Sequence, residues 1–152
     1  MRLARLIAAL TPAAVTGLQG EGPEVAALHY RSQDVRPGGV FVAMRGSAAD
    51  GHDFIADARQ RGAVAVVAEQ PVAGAGVVVT VPDTRRALAE LAAAFYGHPS
   101  EHLTVIAVTG TNGKTTITYL VEGILARAGR STGVIGTINY RYAGVSHPSP
   151  VT

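Results

Sequence analysis

The first 97 residues alternate between two patterns of apolar and polar positions. Four short apolar runs, three of them rich in β-branched residues, predict strands at residues 25–30, 40–44, 64–67 and 77–81. A helical period of three to four residues follows Asp53, and another follows Asp83; the first ends at Gly62 and the second at Gly97. We expect Asp53 and Asp83 to be the N-caps of these helices. Strand, helix and strand in alternation predict an α/β fold.

The first ten residues predict a short amphipathic helix with four apolar side chains on one face: Leu3, Leu6, Ile7 and Leu10. Arg2 and Arg5 interrupt the apolar stretch, which is too short for a secretory signal peptide. The longer apolar runs fall well below the roughly 20 residues of a spanning helix. We therefore expect no membrane segment and no membrane partner.

A helix stop and a helix breaker meet at Gly97-His98-Pro99-Ser100, and we place a domain boundary there. Residues 1–99 then form the first domain, and residues 100–152 begin a second. In the second domain, residues 103–108 predict a buried strand and residues 132–135 the next one, joined by a helix in a right-handed βαβ unit. Residues 140–144 suggest a hairpin. Five residues form the predicted core face of the helix: Ile117, Leu120, Val121, Ile124 and Leu125.

Composition narrows the possible functions. The 152 residues contain no cysteine, which excludes disulfides, thiolate zinc sites and a cysteine nucleophile, and is compatible with a cytoplasmic location. The formal net charge is only +2, so the chain lacks the basic field that nucleic-acid binding requires, and we expect no nucleic-acid partner.

The clearest chemical signal is the run Thr109-Gly110-Thr111-Asn112-Gly113-Lys114-Thr115-Thr116, which lies between a predicted strand and a predicted helix. Small residues let backbone N–H groups converge on a phosphate, and the helix N-terminus and the lysine add positive charge. The strict P-loop pattern would place glycine where this chain has Val108. The strand and helix around the run nevertheless favour a phosphate site.

This run resembles the ATP loop of the Mur ligases of peptidoglycan synthesis, which build the bacterial cell wall. Residues 35–44, 50–55 and 62–67 resemble the N-terminal nucleotide-sugar domain of the same family, and Gly133-Val134-Ile135-Gly136-Thr137-Ile138 is similar to the strand and turn after the ATP helix in the member that adds the third peptide residue. The resemblance implies a small nucleotide-sugar-binding domain followed by the start of a P-loop ATP-binding central domain. It also implies that the chain is an N-terminal fragment, inactive alone.

The resemblance implies an ATP-dependent amide ligase. Its substrates would be UDP-MurNAc-L-Ala-D-Glu and an amino acid, either meso-diaminopimelate or L-lysine, with ATP and Mg²⁺ as cofactors. Lys114 would be the catalytic residue, and the hydroxyl of Thr115 would be a metal ligand. The ATP contacts would come from Gly110, Thr111, Asn112, Gly113, Lys114, Thr115 and Thr116.

For the nucleotide-sugar substrate, the resemblance implies six contact residues: Tyr30, Ser32, Ser47, Ala48, Ala49 and Thr152. The family usually has Asp-Ser-Arg where this chain has Arg31-Ser32-Gln33, so only the serine is shared. We expect Ser32 and Ser47 to lie on one side of the first domain, with neither buried in the core.

Several alternatives stay open. A related ligase of the D-Ala-D-Ala adding, folate or cyanophycin type shares the loop, and a non-catalytic nucleotide-binding module is a third class.

His98 and His102 have the spacing of a metal pair, but Pro99 breaks the helix between them, which favours a solvated linker. Turn and N-cap roles explain Asp50 and Asp53 around His52 better than acid–base chemistry does. For the neighbouring arginines at the start of the second predicted helix, Arg85 and Arg86, a solvated face is favoured over phosphate binding.

Overall fold

The computed structural model describes residues 1–10, 14–46, 49–74 and 76–149. It divides into two compact units, Met1–Thr104 and Val105–Thr152. The division falls five residues after the boundary expected from the sequence, which stays a prediction.

The first unit is built on a five-stranded sheet in the order β1-β5-β4-β3-β2. The strands are β1 (Ala14–Thr16), β2 (Ala27–His29), β3 (Gly39–Val42), β4 (Ala65–Ala68) and β5 (Val77–Thr80). Strands β2 to β5 are parallel, and β1 joins the edge antiparallel to β5. The four predicted strands are confirmed, with small shifts at their ends. Strand β1 was not predicted, because its three residues are exposed and carry no period.

The first unit has three α-helices: α1 (Leu3–Ile7) precedes β1, α2 (Ile55–Gln60) lies between β3 and β4, and α3 (Thr84–Phe95) follows β5. Asp83 caps α3 as predicted, since its side chain accepts hydrogen bonds from the N–H groups of Arg85 and Arg86. The expected cap at Asp53 is wrong. A 3₁₀ turn (Gly51–Phe54) precedes α2, and Asp50 caps that turn by accepting from the N–H of His52. Two further 3₁₀ turns span Ser32–Asp34 and Pro99–His102.

The core of the first unit lies on both faces of the sheet. Val40 and Val42 of β3 face one apolar cluster, which also includes Leu91 of α3 and the predicted apolar face of α1. Phe41 and Ala43 alternate with these valines and face a second cluster, which includes Ile55 of α2. Period-two alternation thus sends neighbouring side chains of a strand into two cores. Because both faces are covered, polar groups are confined to the edges and ends of the sheet.

The second unit consists of α4 (Lys114–Arg127) and an antiparallel three-stranded sheet, β6 (Gly133–Ile135), β7 (Asn139–Tyr142) and β8 (Val145–Pro148). The predicted hairpin is confirmed. Its turn residues Ala143 (φ 50°) and Gly144 (φ 75°) both have positive φ, as a type I′ turn requires. Arg141 holds the hairpin to α4, since its Nη2 donates to the carboxylate of Glu122 at 2.7 Å and its guanidinium lies 3.9 Å from the ring centre of Tyr119.

Two expectations for the second unit are wrong. Residues 104–109 form no strand, and the predicted βαβ unit is absent among the described residues. A parallel strand needs neighbouring strands to satisfy its backbone groups, and β6 pairs with β7 instead. The predicted core face of α4 is also not buried, because Leu120 is 62% exposed and Ile124 is 67% exposed.

Leu91 tests the packing of the first unit. The Leu91 side chain is 1% exposed, so Leu91→Ala leaves a cavity and should lower the free energy of unfolding by about 2–5 kcal/mol. Leu103, in the same unit, is 67% exposed, and Leu103→Ala should change it by less than about 0.5 kcal/mol. Urea denaturation followed by circular dichroism measures both. Equal effects of the two substitutions would contradict the described core.

Candidate functional site

The loop before α4 has the geometry of an anion site. Gly113 is the N-cap of α4, with φ 79° and ψ −5°, a left-handed conformation that glycine adopts without strain. Gly113 has no side chain that could cap this end of the helix, and no acidic residue lies in the first turn of α4. The first N–H groups of a helix have no partner within the helix, and the helix dipole is positive there. The end of α4 can therefore bind a phosphate. The predicted helix is confirmed, but it begins at Lys114, so residues 114–116 lie in its first turn and the loop is shorter than predicted.

Lys114 closes this loop from the first position of the helix. Its Nζ donates hydrogen bonds to the carbonyl oxygens of Gly110, at 2.5 Å, and Thr111, at 3.2 Å. These hydrogen bonds are exposed, so the ammonium group can exchange a carbonyl partner for a phosphate oxygen. Lys114 is the only lysine of the sequence, so the loop holds the only amine-bearing side chain of the chain.

Thr115 follows Lys114 in the first turn of α4, and its side chain is exposed. Among the described residues, no group of three histidine or acidic side chains could hold a metal ion. Mg²⁺ commonly keeps several waters and binds protein through few side chains, with substrate phosphates as the other ligands. A threonine hydroxyl beside a phosphate loop fits that donor set. The function of each residue in the loop stays a prediction.

A cavity of about 250 Å³ lies in the first unit, where the parallel strands end. Tyr30 follows β2 and Arg45 follows β3, and both line the cavity together with Arg85 from the first turn of α3. The carboxyl ends of parallel strands are the usual ligand-binding edge of an open α/β sheet. Phe54 and Arg31 also line the cavity. Aromatic rings can stack on a planar base and arginines can bind phosphates, so the lining suits a nucleotide.

Three of the six residues expected at the nucleotide-sugar site line this cavity: Tyr30, Ser32 and Ala49. The other three, Ser47, Ala48 and Thr152, lie outside the described residues. The expectation that Ser32 is not buried is wrong, since it is 7% exposed. The hydroxyl of Ser32 hydrogen-bonds Asp57, and this bond, followed by the one from Arg61, lowers the pKa of the Asp57 carboxyl. A role of these residues in binding stays a prediction.

Sequence reasoning missed the arginines of the cavity wall. Arg85 is exposed, as expected for a solvated face, and it also lines the cavity. Arg86 is exposed as well, and its Nε donates to Glu90 at 2.8 Å. The available signal was the position of Arg85 directly after the start of α3, because that helix begins at the edge where the strands end.

A ring of polar side chains lies beside the cavity. His52 contacts Asp50 through Nδ1 (2.6 Å), and its Nε2 accepts from the backbone N–H of Glu69 (3.1 Å). Oε1 of Glu69 accepts from the N–H (3.1 Å) and the hydroxyl (2.9 Å) of Thr84. These bonds stabilise both carboxylates: hydrogen bonds from His52 lower the pKa of Asp50, and those from Thr84 lower the pKa of Glu69. Asp50 also accepts from the backbone N–H of His52, so the N-cap interpretation is confirmed for Asp50.

The histidine pair beyond Gly97 lies at a 3₁₀ turn. His98 has a left-handed backbone before the Pro99–His102 turn, and its Nδ1 lies 3.5 Å from the carboxylate of Glu101. Both observations fit the linker interpretation. Across the described ranges, no helix is long and apolar enough to cross a membrane.

Two protein-family models match this chain. Residues 24–96 match the Mur ligase family catalytic domain, and residues 108–151 match the Mur ligase middle domain. The UDP-N-acetylmuramoyl-L-alanyl-D-glutamate--2,6-diaminopimelate ligase of Geobacter sulfurreducens is 49% identical over 154 residues, which cover 100% of this chain and 30% of that protein. The ligase of the same name from Aquifex aeolicus is 52% identical over 117 residues, covering 77% of this chain and 24% of its own length. The chain therefore spans less than a third of the length of these relatives.

Solved structures of ligases are also similar to this chain, again over less than a third of their own length. The UDP-N-acetylmuramoylalanyl-D-glutamyl-2,6-diaminopimelate--D-alanyl-D-alanyl ligase of Acinetobacter baumannii superposes with a TM-score of 0.63 at 31% identity, over 81% of this chain and 27% of that one. A UDP-N-acetylmuramoyl-L-alanyl-D-glutamate--2,6-diaminopimelate ligase structure reaches a TM-score of 0.76 over 100% of this chain and 31% of its own, and at 23% identity it supports the fold alone. The two domain matches together cover most of the chain, and the chain belongs to the Mur ligase family.

Proposed function

We propose that this chain is the nucleotide-binding N-terminal part of a cytoplasmic ATP-dependent ligase that adds diaminopimelate to UDP-MurNAc-L-Ala-D-Glu in peptidoglycan synthesis. The observation that carries the proposal is the uncapped N-terminus of α4 behind a glycine loop with Lys114, in a chain 49% identical over its whole length to a ligase with that name. The relatives are more than three times as long, so the complete reaction needs residues beyond the two sites described.

The proposed reaction activates a carboxylate in two steps. A carboxylate oxygen of D-glutamate attacks the γ-phosphorus of ATP, the bond from that phosphorus to the β–γ bridging oxygen breaks, and ADP leaves. The amine of the amino acid then attacks the acyl carbon, loses a proton and displaces inorganic phosphate. Phosphorylation is needed because a free carboxylate is a poor electrophile. The protein contributes mainly by positioning and by neutralising charge.

The loop before α4 would supply the ATP contacts. The N–H groups of residues 110–116 surround the β- and γ-phosphates in this proposal, and Lys114 neutralises the charge that develops between them. The hydroxyl of Thr115 would hold Mg²⁺. When bound, the ion supplies further charge neutralisation on the phosphates.

The cavity of the first unit would hold the UDP end of the substrate. Tyr30 and Phe54 can pack against the uracil ring, and the cavity arginines can bind the diphosphate. Ala49 lines the same cavity and directly follows Ser47 and Ala48 in the sequence. The amino-acid end of the substrate would be bound elsewhere in the longer protein, with Thr152 near the peptide arm.

The relatives favour diaminopimelate over the alternatives. A D-Ala-D-Ala adding ligase shares the fold at 31% identity, whereas relatives named for diaminopimelate addition reach 49% and 52%. Another relative, from Roseiflexus, carries the broader name UDP-N-acetylmuramyl-tripeptide synthetase and is 48% identical over 122 residues. L-Lysine therefore stays the second candidate for the added amino acid.

ATP binding tests the role of Lys114. Lys114→Ala removes a charged hydrogen-bond donor from the phosphate loop and should weaken binding of Mg²⁺-ATP by about ten- to hundred-fold. Arg127→Ala, at the other end of the same helix, removes a like charge far from the loop and should leave the affinity unchanged. Isothermal titration calorimetry on the chain measures both. Equal losses of affinity in the two variants would show that ATP binding depends on the net charge of the chain and not on the position of Lys114 in the loop.

A hybrid enzyme tests the complete reaction. We expect a hybrid of this chain and the remaining part of the Geobacter sulfurreducens ligase to form the amide from UDP-MurNAc-L-Ala-D-Glu, ATP and diaminopimelate, and the chain alone to form none. Lys114→Ala in the hybrid should cost a hundred-fold or more in rate, the usual cost of losing one electrostatic contact to the transition state. Phosphate release and mass spectrometry of the product give the readout.

Two results of the hybrid experiment would contradict the proposal. Amide formation by the chain alone would show that no further residues are needed. An unimpaired Lys114→Ala hybrid would remove the catalytic role of Lys114.

The neighbouring arginines of α3 test the UDP cavity. Arg85 lines the cavity, whereas Arg86 is paired with Glu90 on the surface. Arg85→Ala should weaken UDP binding by about ten-fold, because one charged hydrogen-bond donor to the diphosphate is lost. Arg86→Ala should bind UDP like the unsubstituted chain. If Arg86→Ala weakens UDP binding as much as Arg85→Ala does, the diphosphate does not lie in this cavity.

A further inference from the structure

The loop between β3 and α2 is closed at its base. The N–H of Gly46 donates to the carbonyl of Ala49, and the N–H of Gly51 donates to the carbonyl of Met44, both at 2.9 Å. Arg45 and Asp50 face each other between these bonds as an isolated antiparallel bridge. We call residues 44–46 and 49–51 the neck. The neck holds in place the two ends of the loop that carries the expected Ser47 and Ala48 contacts.

Gly51 shows how closely the neck is packed. A Cβ on this residue would lie 2.7 Å from the backbone nitrogen of Met44 and 2.8 Å from the carbonyl carbon of Ala43. Both are backbone atoms that cannot move without disturbing the end of β3. Only glycine fits here, so the register of the neck is fixed by steric contact as well as by hydrogen bonds.

His52 connects the neck to the next strand. Its Nε2 accepts from the N–H of Glu69, directly after β4, so this nitrogen carries no proton. The ring proton then lies on Nδ1, which donates to Oδ1 of Asp50 at 2.6 Å. The backbone N–H of His52 donates to the same oxygen at 2.9 Å. One neutral imidazole therefore bridges the neck to the end of the central strand β4.

Two further contacts close a ring around this imidazole. Nε of Arg45 lies 3.3 Å from Oδ2 of Asp50 and 3.7 Å from Oε2 of Glu69. The other oxygen of Glu69 accepts two hydrogen bonds from the buried Thr84, the first residue of α3. The ring thus ties the neck to the end of β4 and the start of α3. These are the elements that bring Arg45 and Arg85 to the cavity.

The neck lines the cavity, and His52 does not. Arg45, Gly46, Ala49 and Gly51 belong to the described cavity wall, whereas His52 is not part of it. We propose that His52 is a positioning residue, which holds the neck in the shape that receives the nucleoside diphosphate of the substrate. This inference rests on the proposed function. His52 would raise affinity without touching the ligand, because a loop that is ordered before binding loses less entropy on binding.

The test replaces His52 and measures amide hydrogen exchange of the neck in the ligand-free chain. His52→Phe keeps a planar ring but removes both side-chain hydrogen bonds, and His52→Gln can retain only one of them. His102→Gln is the control, since His102 is an exposed histidine of the Pro99–His102 turn in the same unit. Hydrogen exchange should be faster at the Gly46 and Gly51 amides in His52→Phe, intermediate in His52→Gln and unchanged in His102→Gln.

The second readout is ligand affinity. UDP should bind His52→Phe about ten-fold more weakly than the unsubstituted chain, while Mg²⁺-ATP should bind both equally. His52→Gln, with an intermediate loss, serves if His52→Phe fails to fold, which thermal unfolding reveals. In the hybrid enzyme, the same change should raise KM for the UDP substrate and leave kcat unchanged, whereas a general loss of stability would reduce the amount of active enzyme.

The outcomes separate this inference from the proposed function. If the unsubstituted chain binds UDP and the His52 variants bind it equally well, the positioning role is overturned and the proposed function stands. Faster exchange at the neck without any loss of UDP affinity also overturns it. If the unsubstituted chain binds no UDP at all, the assignment of the cavity to the UDP substrate fails, and the positioning role fails with it.

Discussion

Burial of the parallel strands on both faces is the constraint on which the first unit depends. Val40 and Val42 enter one core and Phe41 enters the other, so the faces of the sheet have no room for polar chemistry. The strand ends are the place where polar side chains reach solvent and each other. Because β2 to β5 run in the same direction, the segments that follow them meet at one edge. Tyr30, Arg45 and Glu69 are brought together in this way, although they are far apart in sequence.

The second unit depends on a different constraint, the unpaired N–H groups at the start of α4. Gly113 takes the left-handed conformation that directs the chain into the helix, and as glycine it has no side chain that could cap the first turn. Such an end favours an anion regardless of what the rest of the helix contacts. The apolar side chains Leu120 and Ile124 are exposed at the same time. Local geometry alone is therefore enough to form the loop before α4. It is not enough to bury the apolar side chains of the helix.

Local sequence patterns predicted what depends on local structure. The strands of the first unit, the cap at Asp83, the helix after Gly113 and the hairpin turn at Gly144 each follow from a period or from a residue with a special backbone conformation. The strand at residues 103–108 was wrong, because a strand exists only where neighbours pair with it. The cap at Asp53 was wrong because the choice between Asp50 and Asp53 depends on a preceding 3₁₀ turn that the helical period does not indicate.

Contacts between distant segments were harder to predict. Ser32 was expected not to be buried in the core, but it is 7% exposed, and its hydrogen bond lowers the pKa of the Asp57 carboxyl of α2. Arg85 is exposed as expected, but only the sheet topology shows that it also lines the cavity. The ring around His52 joins residues of three elements, so a pattern along one segment shows at most the cap at Asp50. The family resemblance led to Tyr30, Ser32 and Ala49, which line the cavity. It did not lead to Arg45 and Arg85, which line the same cavity.

Separate binding of two nucleotides is the central claim, and amide chemical-shift mapping tests it most directly. The ¹⁵N-labelled chain would be titrated with UDP and, in a second sample, with Mg²⁺-ATP. We expect UDP to shift the amides of residues 30–33, 44–51 and 85, and Mg²⁺-ATP to shift those of residues 110–116. Shifts by both ligands in the same segment, or shifts by UDP that spare residues 44–51, would contradict the assignment of the two sites.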